Sequence, residues 1–152
     1  AKIALSLQPQ QMWTALDEFG FGRVTGSGFP GESAGILTSH QHWRSIGQAT
    51  MSYGYGLSVT PLQLAQAYAV LGSGGVRRPV SLRKLEVAPE GERVLDETVA
   101  RELVTMMEAV VSDAGTARRA RVMGYRVAGK TGTAWKASET STICRRDPSD
   151  PK

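Results

Sequence analysis

Residues 127–134 read VAGKTGTA, and inside that run Lys130, Thr131, Gly132 and Thr133 set an ammonium, a hydroxyl, a bare glycine and a second hydroxyl in consecutive positions. The run has the length and composition of a β-strand. In an extended strand side chains alternate faces, so Thr131 and Thr133 project together while Lys130 and Gly132 project the other way. Two hydroxyls beside an ammonium suit a carboxylate. Gly132 lacks a β-carbon and lets another backbone or a ligand approach closely, and an exposed N–H on Thr133 could donate to a developing oxyanion. The chemistry this points to is acyl transfer, with Lys130 and Thr133 as candidate catalytic groups and Thr131, Gly132 and Thr133 as candidate substrate contacts. The plain alternative is an edge strand whose polar residues face solvent.

Other motif matches point elsewhere, and each is judged by its context. Residues 124–131 fit the phosphate-loop spacing, from Gly124 to Gly129, Lys130 and Thr131. That loop needs an apolar strand before it and a helix after it, so that backbone N–H groups face the phosphates. Here an arginine-rich turn precedes it and Gly132 with β-prone residues follows. Residues 31–35 (GESAG) fit the nucleophile elbow of α/β-hydrolases around Ser33, which needs a preceding strand and a later histidine. Phe29 and Pro30 indicate a loop instead, and His40 and His42 follow too closely, so both read as polar loop residues. Ser81 with Lys84 and Ser149 with Lys152 have the serine–lysine spacing, but activation through lysine requires a shared helical face. The first pair falls in an expected strand and the second in a tail broken by Pro151.

The elements that must position the run follow from periodicity and punctuation. Residues 1–7 read as the end of a helix, with Ile3, Ala4 and Leu7 on one face, and residues 9–19 as a second helix with Pro9 in its first turn and a stripe of Met12, Trp13, Leu16 and Phe19. Residues 23–45 are rich in Gly, Ser and Pro and read as a long irregular segment, of the kind that is functional or walls a cavity. Thr60 and Pro61 start a helix over residues 60–72 that is apolar nearly all round, so burial is expected. Residues 80–87 and 93–95 read as a β-hairpin turning at 89–91. Asp96 caps a helix whose stripe of Val99, Leu103, Met106, Met107 and Val110 is expected in the core. Residues 135–152 are polar, without strand period, and are expected to be disordered.

A length of 152 residues suits one folding unit or part of one, and 41% hydrophobic with 21% charged residues is ordinary globular composition with no stretch of membrane-spanning length. The net charge of +4 comes from scattered basic pairs apart from the three tryptophans, which argues against a nucleic-acid partner. The lone Cys144 permits no disulfide within the chain. No cofactor or metal is implied.

With the Lys130–Thr131–Gly132 triplet placed, the chain resembles the transpeptidase domain of class B penicillin-binding proteins, the division-specific type in particular. Residues 31–37 (GESAGIL), 52–71 (SYGYGLSVTPLQLAQAYAVL), 115–117 (GTA) and 127–134 stand in that family's order and approximate spacing. The resemblance implies an α+β fold, an antiparallel sheet flanked by helices, with residues 60–72 near the catalytic centre. It implies a serine nucleophile, with lysine three residues on, that attacks D-alanyl-D-alanine stem peptides of peptidoglycan and is acylated by β-lactams. By the same resemblance Lys130 supplies positive charge and aids the proton relay. Thr131 and Thr133 would bind the substrate carboxylate, and the Thr133 N–H would form one arm of the oxyanion hole. It further implies division-complex membrane proteins as partners and a membrane anchor with the catalytic domain on the periplasmic face.

The departures are equally specific. The serine–lysine helix and the serine-x-asparagine motif are absent, and the sequence has no asparagine. Residues 1–134 are therefore expected to be the C-terminal half of a transpeptidase domain, incomplete and inactive alone, with 135–152 a non-family tail such as a frameshift would produce. A serine β-lactamase or penicillin-sensing receptor shares the lysine strand and is the alternative enzyme reading, and a degenerate binding domain is the non-enzymatic one.

Overall fold

The computed structural model describes residues 1–132 and the backbone of 136–138 and 141–145. The chain divides into two units, residues 1–103 and 104–152. Helices and short antiparallel strand pairs make up both, as in an incomplete α+β domain.

In the first unit helix α1 covers Lys2–Ser6 and α2 covers Pro9–Glu18, the latter opened by proline at its first position and a Gln8–Gln11 capping box. Helix α3, Ser45–Met51, has no side-chain cap at Arg44 and carries Gly47 inside it, which is why no start signal is legible there. Helix α4, Pro61–Gly72, starts where Thr60 and Pro61 predict, and its Gln63 completes a reciprocal box with Thr60 through bonds of 2.8 and 3.1 Å. Strands β1 (Ile36–Leu37) and β2 (Leu57–Ser58) pair antiparallel. Gly35, at φ +63°, precedes β1, and a β-carbon there would lie 2.2 Å from the Ser58 carbonyl oxygen. Only glycine lets the two backbones meet so closely.

The expected hairpin of residues 80–87 with 93–95 is corrected by the structure. Strand β3 is Val76–Arg77 and pairs with β4, Glu92–Arg93. The backbone of the intervening segment is engaged elsewhere: Val80 N–H donates to Thr25 O at 3.1 Å, and the Ser81 hydroxyl closes a local turn on Arg83. The segment 23–45 is largely irregular as expected, apart from β1 and a 3-10 turn at His40–His42.

Burial also departs from expectation. Helix α4 is not covered all round: Gln63, Gln66, Ala67 and Val70 are buried, while Leu62, Leu64 and Tyr68 are exposed. Two glutamines occupy the inward face because the irregular segment beside it presents carbonyls that need donors. Gln63 Nε2 donates to Arg23 O at 2.7 Å and Ala34 O at 2.8 Å, and Gln66 Nε2 to Arg78 O at 2.7 Å. Gln48, buried on α3, does the same for α1 by donating to Ala4 O at 2.7 Å and Leu7 O at 2.9 Å. Helix α5, Glu97–Glu108, is capped by Asp96 Oδ1, which accepts from Thr98 and Val99 N–H at 2.8 and 3.3 Å. Its fully buried residue is Ala100, whereas Val99 and Met106 of the expected core stripe are exposed.

In the second unit the chain leaves α5 through a 3-10 turn at Ala109–Val111 and reaches another at Arg118–Ala120. Gly115 lets the connection fold back, since a β-carbon there would sit 2.1 Å from Val110 O. Arg121 holds the fold by donating to Val111 O and to Asp113 Oδ1 at 3.0 Å. Beyond residue 134, where no regular structure is expected, strand β5 (Lys136–Ser138) pairs antiparallel with β6 (Ser141–Arg145). Short Ser/Thr-containing runs can form such a ladder whatever their mean polarity.

Candidate functional site

Within the second unit, residues 126–132 leave the turn at Gly124 without joining a strand ladder. Over the described residues 127–132 the expected strand is thus not formed. A β-prone run becomes a strand only against another backbone, and the described anchors here are a Gly129 N–H to Met107 O bond of 3.2 Å and an Arg126–Glu108 ion pair of 2.7 Å. Both anchors reach back to the end of α5, so the helix fixes where the run starts.

Lys130, Thr131 and Gly132 are exposed, and Thr133 lies outside the described residues. The lysine folds over its neighbour: Lys130 Nζ donates to Thr131 O at 2.7 Å and stands 3.4 Å from Thr131 Oγ1. Strict alternation would separate these groups, and without a ladder they converge. Among the described residues no carboxylate pairs with Lys130. A β-carbon at Gly132 or Gly129 would meet no atom within 4 Å, so neither glycine is required by packing within the chain. An ammonium, a hydroxyl and a bare backbone facing solvent together can receive an anionic group from outside. The run is neither wound into a phosphate cradle nor buried, and no helix follows it among the described residues.

The competing motif residues have other employment. Ser33 Oγ accepts from Gly35 N–H at 3.2 Å in a loop that leads into β1, so it sits on no strand-to-helix elbow. His40 packs edge-on against Trp13, with ring centroids 5.9 Å apart. Ser81 binds its own turn and shares no helix with Lys84, and Ser149 and Lys152 lie outside the described residues. Among the described residues no His, Cys, Asp and Glu cluster could hold a metal.

Two features escape a sequence reading. Glu32 ties the irregular segment together, accepting from Thr25 N–H at 2.6 Å, Thr25 Oγ1 at 2.5 Å and Ser27 Oγ at 2.6 Å. These donors, Ser27 and Thr25 hydroxyls foremost, hold its carboxyl below the usual glutamate range. Gln63 is the second, and the Thr-x-x-Gln spacing from Thr60 was its available signal. Arg23 pairs with Asp17 beside it, and that hydrogen bond raises the guanidinium pKa further.

Comparison with known proteins shows the family. A family model described as the penicillin binding protein transpeptidase domain matches residues 1–144. The chain is 44% identical over 136 residues to the peptidoglycan D,D-transpeptidase FtsI of Escherichia coli strain K12, covering 90% of this chain and 23% of that protein. It is 45% identical over 136 residues to the probable peptidoglycan D,D-transpeptidase PenA of Neisseria meningitidis serogroup A, again 90% of this chain and 23% of the relative. The chain thus spans about a quarter of the length of these curated relatives. Among solved structures it superposes on the apo transpeptidase domain of Burkholderia pseudomallei penicillin-binding protein 3 with a TM-score of 0.83 and 46% identity, covering 92% of this chain and 43% of the other. A protein from Burkholderia ambifaria described as a peptidoglycan glycosyltransferase gives the same TM-score of 0.83 at 47% identity, over 89% of this chain and 43% of that one.

Proposed function

The chain belongs to the penicillin-binding protein transpeptidase family, and from that premise we propose that it carries the carboxylate-binding wall of a division-type peptidoglycan D,D-transpeptidase. In this reading Lys130 supplies positive charge and aids proton transfer. Thr131 and Thr133 hydroxyls hold the terminal carboxylate of a D-alanyl-D-alanine stem peptide, Gly132 admits the peptide backbone, and the Thr133 N–H stabilises the oxyanion. A serine from the rest of the domain attacks the penultimate carbonyl. Its oxygen bonds to the acyl carbon, the amide bond to the terminal D-alanine breaks, and D-alanine leaves with the proton. The amine of a neighbouring stem then forms the new amide, and the serine recovers a proton. A β-lactam acylates the same serine by opening its ring amide.

The observation that carries the reading is the exposed Lys130 ammonium beside the Thr131 hydroxyl, with no carboxylate partner among the described residues. The relatives' printed activity favours transpeptidation over β-lactam hydrolysis or sensing. The chain alone is proposed to be inactive, because an oxyanion and carboxylate wall without a nucleophile retains little of the catalysis. Residues 1–134 are proposed as the C-terminal half of a transpeptidase domain and 135–152 as a tail outside it, with the family model itself reaching residue 144. We place the whole protein, with its division-complex partners, at the cytoplasmic membrane with this domain on its outer face. Among the described residues no helix is long and apolar enough to cross a membrane.

Fluorescent penicillin tests this directly. The chain alone should give no covalent band, whereas the same residues inside a complete domain should label. There Lys130→Ala and Thr131→Val should cut labelling by at least about a hundredfold each, the scale of a lost transition-state contact. A labelled band from the isolated chain, or full labelling by Lys130→Ala, overturns the assignment.

A further inference from the structure

Between β3 and β4 the chain makes a long excursion whose backbone is left unpaired. Among the described residues, no backbone amide or carbonyl from Lys84 to Glu90 takes part in a hydrogen bond. Lys84, Leu85, Glu86 and Val87 alternate polar with apolar, the pattern of a half-covered strand. Leu85 and Val87 are 48% and 81% exposed. The stretch bends at residues 86 and 87, and no internal bond has to break for it to straighten. Beside it lies a groove of about 390 Å³ walled by Phe29, Pro30, Leu82, Leu85 and Pro89. The opposite wall is already held in place: Glu32 accepts from Thr25 and Ser27, and Val80 N–H donates to Thr25 O at 3.1 Å. Arg83 is the one charged residue on this groove, and among the described residues no carboxylate pairs with it.

We propose that residues 84–88 and the adjoining groove are a docking site for an extended peptide of a separate partner protein. The peptide adds as a β-strand along residues 84–88, seats one large apolar side chain among Phe29, Leu82 and Leu85, and sets an acidic side chain beside Arg83. Each property of the occupant follows from one observation. A row of free amides and carbonyls calls for a partner that offers donors and acceptors in alternation, which is another main chain. A lipid headgroup brings phosphate acceptors without the matching row of donors. The groove walls are aromatic, aliphatic and proline carbon, so its contents are apolar. Arg83 selects an acid at the groove's edge. Glu86 and Glu90 stand on the same excursion, so a run of acids would be repelled and the ligand carries its acid at a single position next to the apolar anchor. Pro89, which has no N–H, ends the pairing. Every residue used lies in the first unit and none belongs to the Lys130 run, so the proposal stands apart from the catalytic reading.

The probes are three fluorophore-labelled heptapeptides of alternating threonine and valine, with leucine, phenylalanine or tryptophan at the centre and aspartate after it. Fluorescence anisotropy follows their binding to the full 152-residue chain, and saturable binding of at least one is expected. In an added strand, alternate amides face the protein and the others face water. N-methylation of one alternate set should therefore abolish binding, while methylation of the other set should leave it within about twofold. Arg83→Glu and Leu85→Glu should each weaken binding at least about tenfold, and Ile46→Glu, at a site 71% exposed on α3, should not. The same residues inside a complete domain should bind the peptide equally well. No binding by any of the three peptides overturns the proposal, as do equal effects of the two methylated sets, which need no variant and so do not depend on how the substituted chains fold. Binding indifferent to Arg83→Glu and Leu85→Glu overturns it too. Loss of binding in the complete domain would make the rest of that domain the occupant, and sedimentation with phosphatidylglycerol vesicles that Leu85→Glu abolishes would make it a lipid surface; either result overturns the peptide assignment.

Discussion

Replacing Gln63 by leucine isolates the polar hub on which the first unit depends. The side chain is 1% exposed and both ends of its amide are bonded: Oε1 accepts from Thr60 N–H at 2.8 Å, while Nε2 donates to Arg23 O at 2.7 Å and Ala34 O at 2.8 Å. Leucine nearly preserves volume and removes every bond, leaving one amide and two carbonyls without their partner. An orphaned buried group costs about 1–3 kcal/mol. These three stand at a part-buried rim that water can reach, so the low end applies and the expected loss is about 3 kcal/mol. With a urea slope of roughly 1.5 kcal/mol/M for a unit of this size, the unfolding midpoint should fall by about 2 M. Fluorescence of Trp13 and Trp43, both in the same unit, reads the transition. Gln63→Glu adds a sign. Its carboxylate still accepts from Thr60 but faces two carbonyl oxygens, which raises its folded pKa. The variant should then lie nearest the parent below about pH 4.3 and lose stability as pH rises toward the raised folded value. A Gln63→Leu midpoint within about 0.3 M of the parent, or a Gln63→Glu penalty that does not grow with pH, refutes the assignment.

Other consequences follow from single contacts. Glu32 has a lowered folded pKa, so its support for the irregular segment is complete above the ordinary glutamate value of 4.5 and is lost as pH falls from there through the lowered value. Urea midpoints between pH 6 and 2 should show that loss, and Glu32→Gln should flatten it. Gly35→Ala puts a β-carbon 2.2 Å from Ser58 O at φ +63°, and should destabilise the first unit by at least about 2 kcal/mol, measured by the same unfolding curves. Asp96→Ala removes the acceptor for Thr98 and Val99 N–H, and amide hydrogen exchange at those two residues should accelerate while exchange in α4 stays unchanged.

What the sequence made legible was local. The starts of α4 and α5 are written in Thr60–Pro61 and Asp96, because capping depends on a few consecutive residues. The β3–β4 pair was misplaced, since strand propensity at residues 80–87 says nothing about whether Thr25 will take the Val80 amide. The buried glutamines were invisible because glutamine reads as a surface residue. The burial of Gln63 follows from carbonyls 40 and 29 residues away, at Arg23 and Ala34.

Helix α4 and the Lys130 run depart from expectation for one physical reason. The apolar count on α4 indicates correctly that the helix needs cover, and the β-prone text of residues 127–134 indicates correctly that the run suits a ladder. Local patterns specify the surface an element requires, but they do not supply it. Among the described residues the outer face of α4 has no cover and Lys130 with Thr131 has no neighbouring strand, so the lysine turns onto the threonine. A strand pairing beside residues 127–132 would restore alternation, draw the ammonium off the Thr131 hydroxyl, and turn that hydroxyl to the face it is proposed to share with Thr133 against the substrate carboxylate. Inside a complete domain the Lys130 ammonium should therefore be acetylated at a rate different from that in the chain alone, and equal rates would refute the strand pairing.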